Sequence, residues 1–135
     1  MRQKRAGQQY FLKDKKVVVY KEVEDRDSSG FRVTGYMPIH PQATLWAYYK
    51  ELSATLIYAS HTTTAKEESQ IAINYLAALN KAYPQDYYVL YDGVLYQVTR
   101  VDNYEGYKSD LVLYVKSTTT KPSSMTILPY DPNKL

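Results

Sequence analysis

The chain contains no cysteine, which removes disulfide staples and thiolate metal sites at once. Histidine is nearly as scarce. His40 and His61 stand in separate loop-like segments without H-x-H or H-x-x-x-H spacing, so no histidine metal centre has a framework. The five glycines form neither G-x-x-x-x-G-K-[ST] nor G-x-G-x-x-G, and a phosphate-cradling loop is therefore unsupported. No G-x-S-x-G elbow accompanies the serines, which leaves a hydrolase triad without its nucleophile turn. Tyr104 and Lys108 have a reductase-like Y-x-x-x-K spacing, but the glycine loop that would hold a dinucleotide is missing. Asp102, Glu105 and Asp110 miss the calcium-loop spacing. These absences predict no enzyme: no catalytic residue, no cofactor and no metal.

Long apolar runs are missing as well. None approaches the roughly 20 residues of a membrane helix, and the basic start Met1-Arg2-Gln3-Lys4-Arg5 is not followed by a signal-peptide core. The expectation is a soluble protein with no membrane partner. Charge is mild, at +3. The basic residues gather early, in Arg2, Lys4, Arg5, Lys13, Lys15 and Lys16, which reads as a solvated arm and not as a duplex-DNA face.

What the chain has is tyrosine: sixteen, against two Phe and one Trp. Tyrosine suits half-buried strands and is enriched where proteins meet. A β-rich domain with wet edges, or a subunit that buries surface against neighbours, would each use it.

Its 135 residues fit one domain. Residues 1–15 read as an N-terminal arm, 16–116 as the folded domain and 117–135, rich in Thr, Ser and Pro, as an extended tail. Lys16 to Glu24 is a Val-rich strand, and Phe31 to Tyr36 returns beside it after the turn residues 25–30. Pro38 and Pro41 end that pairing. Thr44 to Glu51 carries Trp46 and Tyr48 on one face and Leu45, Ala47 and Tyr49 on the other, as if covered on both sides. Residues 53–64 read as a loop. In 67–76 the alternation of Ile71, Ile73 and Tyr75 favours a strand, with a turn to Pro84, although Ala77-Ala78-Leu79 prefers helix.

The sharpest local signal is Asp92-Gly93, the type I′ turn of a hairpin. It pairs Tyr91 with Val94, Val89 with Tyr96 and Tyr87 with Val98, so all six share one face. Asp102 to Ser109 turns again, and Asp110 to Lys116 places Leu111, Leu113 and Val115 inward. The fold class expected is all-β, a small barrel or sandwich of about six antiparallel strands. An OB-like barrel binding single-stranded nucleic acid is a rival, with Tyr88, Tyr114 and Arg100 as a stacking platform.

Three passages resemble the phage head–tail joining family, the head-closure or stopper proteins of long-tailed phages. They are Leu45-Trp46-Ala47 running into Glu51-Leu52-Ser53, then Glu67-Glu68-Ser69-Gln70-Ile71-Ala72-Ile73-Asn74-Tyr75, and Leu90 to Asp102 continuing through Tyr104 to Leu111. The resemblance covers about 16–116. It implies a β-barrel subunit of a ring, commonly of twelve copies, at the virion neck, assembled in the host cytoplasm. Its partners would be itself, the connector or adaptor below the portal, the tail terminator or tail proteins, and channel DNA. A tail terminator or another tail component of the same virion is the alternative role.

In that family the loop after the W-A strand tends toward the channel. Here its candidates are Ser53, Thr55, Leu56, Ile57, Tyr58, His61, Thr62 and Thr63, which would touch DNA sterically or through polar groups. Trp46, Tyr48, Tyr88, Tyr114 and Tyr130 are candidate interface residues, and Asp92 and Gly93 form the hairpin turn. The arm, the tail or both would touch a neighbouring subunit, the connector or the phage tail. Removing 121–135 would then impair joining and leave the monomer folded.

Overall fold

A computed structural model describes residues 12–52, 68–80, 83–103 and 109–135. Seven strands follow one another: β1 (Lys15–Arg26), β2 (Arg32–Pro38), β3 (Thr44–Glu51), β4 (Ser69–Asn74), β5 (Tyr87–Tyr91), β6 (Val94–Asn103) and β7 (Asp110–Ser117). All the pairings are antiparallel, and the order β1-β3-β4-β7-β6-β5 closes on itself through β1–β5. The result is a six-stranded barrel with β2 as an extra strand. Closure removes the open edges that make flat sheets sticky.

β1 is long enough to serve twice. Its first half, from Lys15 to Val18, pairs with β3, and its second, from Tyr20 to Arg26, pairs with β2 along the same edge. Between the two partners the chain steps out at residues 39–43, where Pro41 follows Pro38 and Ala43 takes φ 58°. Proline's missing N–H interrupts the ladder there, while the Ile39 amide still donates to the Val19 carbonyl at 3.1 Å.

Alternation fills the barrel. Val17 and Val19, Ala47, Ile71 and Ile73, Val89, Val98, and Leu111, Leu113 and Val115 form one buried cluster. Leu111, Leu113 and Val115 face inward as the period requires, each fully buried. The segment around 67–76 is a strand over Ser69–Asn74, and helix preference appears after it as a short α-helix, α1 (Ala77–Asn80). That helix replaces the simple turn expected before Pro84. Its Leu79 is buried in the core cluster, so the apolar contact holds the helical turn in place.

Asp92 and Gly93 sit at φ 50° and 77°, the two positive values of a type I′ turn. Tyr91 pairs with Val94 and Val89 with Tyr96 as the turn dictates, and the ladder ends at Tyr88 with Gln97. Of the six residues expected on one face, Tyr87, Val89, Tyr91, Tyr96 and Val98 join the core, whereas Val94, next to the turn, is exposed. A Cβ on Gly93 would meet nothing within 4 Å, so any cost of filling it is conformational. Gly93→Ala is expected to lower stability by about 1–2 kcal/mol, measured by urea denaturation.

A register shift between Val98 and Arg100 marks a bulge in β6. Strict alternation would put Arg100 on the core face with Val98. The extra residue, Thr99, reverses the phase: Val101 packs against the core and Arg100 turns outward. Thr99 Oγ1 donates to the Tyr114 carbonyl at 3.0 Å.

Candidate assembly surfaces

On the outside of β3, β4 and β7, Tyr48 pairs with Ala72 and Ala72 with Val112. Ala72 and Val112 are buried although they point away from the barrel, because Tyr48 and Tyr114 pack over them. Alanine's small side chain leaves room for the rings that pack over it. The Arg100 guanidinium carbon lies 3.9 Å from the Tyr114 ring centroid, and Lys16 Nζ lies 5.0 Å from that of Trp46. Trp46 itself is 55% exposed, the sole tryptophan of the chain. Exposed aromatic area beside cations is costly to leave in water and suits a partner.

A second tyrosine cluster lies on the outer face of β1, β2 and β5. Tyr36 meets Tyr88 edge-on at 5.2 Å between centroids and Tyr20 at 6.3 Å. Burial pushes the Tyr88 hydroxyl up to about 12, and its hydrogen bond to Glu22 adds to the rise. A phenol held above its usual value stabilises the fold fully below the ordinary pKa, and this contribution fades as pH climbs toward the raised one. Replacing Glu22 by Gln removes the negative acceptor. Tyrosinate absorbance is then expected to show Tyr88 ionising at lower pH; an unchanged titration curve counts against the Glu22 contact.

A third group is internal. Tyr49 stacks on Tyr91 at 4.5 Å, and its hydroxyl lies 3.0 Å from Ser69 Oγ and 3.5 Å from the Tyr96 hydroxyl. Tyr96 is raised by burial first, then by the Tyr49 hydroxyl and by Glu68 and Glu51. Eight of the tyrosines among the described residues thus fall on one inner and two outer surfaces.

The charges at the start of the chain also find partners. Lys13, read from sequence as part of a solvated arm, instead meets Asp110 at 2.6 Å, with side chains only 17% and 7% exposed. Pairing is what makes a buried Asp110 tolerable. The bulk of the expected arm, 1–11, lies outside the described residues.

The chain after β7 does not extend away. Thr118 N and Oγ1 both donate to the Leu95 carbonyl at 2.9 Å. Farther on, Tyr36 donates its amide to the Thr126 carbonyl at 2.8 Å and accepts from the Leu128 amide at 2.9 Å, beside a parallel bridge between Tyr36 and Ile127. The segment then passes Gly35, whose missing Cβ leaves the room Leu128 occupies. The Asp131 amide contacts Met37 Sδ at 3.3 Å, Lys21 Nζ donates to the Lys134 carbonyl at 2.9 Å, and Lys134 Nζ reaches Asp25 at 2.7 Å. Sequence reasoning missed this seat. Its one local signal was a glycine inside a strand, which often marks a close backbone approach.

Of the five interface candidates, Trp46, Tyr48 and Tyr114 lie on one outer face, Tyr88 belongs to the β1–β2–β5 cluster, and Tyr130 is half-buried in the docked tail. The channel-loop candidates Ser53, Thr55, Leu56, Ile57, Tyr58, His61, Thr62 and Thr63 lie outside the described residues, as do residues 104–108 of the second turn. His40 Nδ1 accepts from the Gln42 amide at 3.2 Å in the corner between β2 and β3. Among the described residues no group of three or more His, Asp or Glu could hold a metal. Nor, among them, is any helix long and apolar enough to cross a membrane.

A family model described as phage head completion protein matches residues 13–118. No curated protein matches. Among solved structures, the solution structure of protein SF1141 from Shigella flexneri 2a superposes with a TM-score of 0.59 at 16% identity, covering 79% of this chain and 94% of that one. It is a likeness of fold. A chain in the virion of a native gene transfer agent particle gives a TM-score of 0.47 at 8% identity, covering 79% of this chain and 96% of that one.

Proposed function

This chain belongs to the phage head completion protein family, and on that premise we propose that it forms a ring at the virion neck, closing the DNA-filled head and presenting the surface to which a tail attaches. The family is structural, and a phage head–tail role among other virion components goes with membership. The observation that carries the finer reading is the span of the match. Residues 13–118 run from Lys13, paired to Asp110, through every strand of the barrel to Thr118, anchored on Leu95.

A closed ring of identical subunits uses heterologous contacts, so it needs two different patches on separate sides of each copy. In the six-stranded circuit β1 and β7 are three strands apart whichever way one counts. Tyr114 of β7 and the face bearing Tyr20, Tyr36 and Tyr88 are therefore on opposite sides of the barrel, and in this reading they meet different neighbours, while Trp46 and Tyr48 on β3 lie beside β1. Twelve copies is the number the resemblance brings. Contact with DNA falls in this reading to 53–64, which carries no charged residue beyond His61, so its grip would be weakly dependent on salt.

Imaging of purified particles is the test. The expected result is a ring of this barrel between the connector and the tail. Density along the tail tube would favour a tail component instead, and absence from the particle would end the proposal.

A further inference from the structure

Among the described residues β2 has one strand neighbour, β1, and residues 126–131 of the same chain line its other edge before Lys134 returns to β1. We propose that this edge is an exchange socket, filled in the assembled state by the same segment of a second copy. The inference deepens the ring reading, since it names how neighbouring copies are tied together.

The socket is already shaped for its occupant. Gly35 makes its floor: a Cβ there would stand 2.8 Å from Leu128 Cγ and 3.0 Å from the Thr126 carbonyl oxygen. Two backbone hydrogen bonds at Tyr36, the Met37 contact and the Lys134–Asp25 clasp complete it. None of these contacts depends on which copy supplies the segment. Exchange between identical chains therefore replaces each contact by its equal, and only the hinge differs.

The hinge is present. After Thr118, held on Leu95, residues 119–125 lead to the socket through a 3-10 turn at Pro122–Ser124. Thr119, Lys121, Ser123 and Ser124 are exposed there. Fully extended, seven such residues reach about 23–25 Å, enough to cross to a barrel in contact. Between copies held side by side, the local concentration of the segment is in the millimolar range, about that of a short flexible linker.

Docking in the chain's own socket also leaves apolar surface uncovered. Ile127 remains 51% exposed, Leu135 42%, and Phe31, which precedes β2, 72%. The seat adjoins the Tyr20–Tyr36–Tyr88 face through Tyr36, where Thr120 hydrogen-bonds the ring hydroxyl. A second copy seated on that face would bring its own segment beside these residues.

The absence of cysteine makes a clean experiment. One variant carries Gly35→Cys with Leu128→Ala, which relieves the clash; the other carries Leu128→Cys alone. Neither can close a disulfide within one chain, and Leu128 Cγ lies near where a bridging sulfur would stand. Particles assembled from the mixture are run on a non-reducing gel.

The expected result is a covalent pair of chains that disappears with reductant. A chain carrying both Gly35→Cys and Leu128→Cys serves as the control. If rings form, the mixture gives no pair and the double variant closes only within itself, exchange is overturned and the ring stands. If no disulfide forms in either format, the socket is overturned. If no ring exists in the particle, both readings fall.

Discussion

Replacing Leu113 by alanine is expected to lower the unfolding free energy by about 2–5 kcal/mol. Leu113 is fully buried in β7, between Ile71 of β4 and Val101 of β6. Both neighbours are pinned by ladder hydrogen bonds, so the wall collapses little into the space left behind. The cost then includes the lost transfer energy and an unfilled cavity. In urea the midpoint should fall with the slope nearly unchanged. A loss below about 1 kcal/mol would place Leu113 at the surface, where substitutions cost within roughly 0.5 kcal/mol, and would contradict the inward phase of β7.

Removal of residues 121–135 is the second large effect, and here the structure changes the expectation drawn from sequence. Sequence alone predicts that the monomer stays folded without it. The segment instead covers Gly35 and meets Met37, a fully buried side chain. Exposing one such side chain costs about 1.5–3 kcal/mol, so truncation is expected to destabilise the β1–β2 hairpin by at least that order. Hydrogen exchange should show the amides of residues 32–37 losing protection, while β4 and β7 keep theirs. Equal loss everywhere would mean that the segment braces the whole barrel.

The clasp at its end also predicts a pH dependence. Lys134 hydrogen-bonds the Asp25 carboxylate and holds its pKa below the ordinary value, helped by the Arg26 amide. A carboxylate lowered by folding stabilises the fold fully above its unfolded pKa and loses this as pH falls through the folded one. Docking of the segment should therefore weaken in acid, below about pH 4. The pair is exposed to solvent, so salt should weaken it too.

Much of the barrel was legible because its rules are local. Period-two burial identified β7 and the inward set Leu111, Leu113 and Val115. Asp92-Gly93 set the hairpin register, since positive φ at two successive residues forces the pairing. Double-sided apolar character in Thr44–Glu51 predicts cover on both faces; the core covers the inner one through Ala47, Leu45 and Tyr49, whereas Trp46 on the outer one stays 55% exposed. The exceptions were not local. The bulge at Thr99 depends on how β6 must fit β7, and no pattern within β6 announces it. Leu95 is buried on the face opposite Tyr96, where the pattern gave it no partner; Thr118 returning to its carbonyl is a contact 23 residues away in sequence.

Composition and periodicity by themselves determined the class: antiparallel strands, a tyrosine-rich surface, and no framework for known catalytic motifs. Those follow from backbone geometry and side-chain type, which each residue carries with it. Tertiary structure alone decided that the strands close into a barrel, that Lys13 is paired with Asp110, and that the final segment seats beside β2. Those outcomes depend on which distant groups come together. Desolvation and pairing energies exist only once they do.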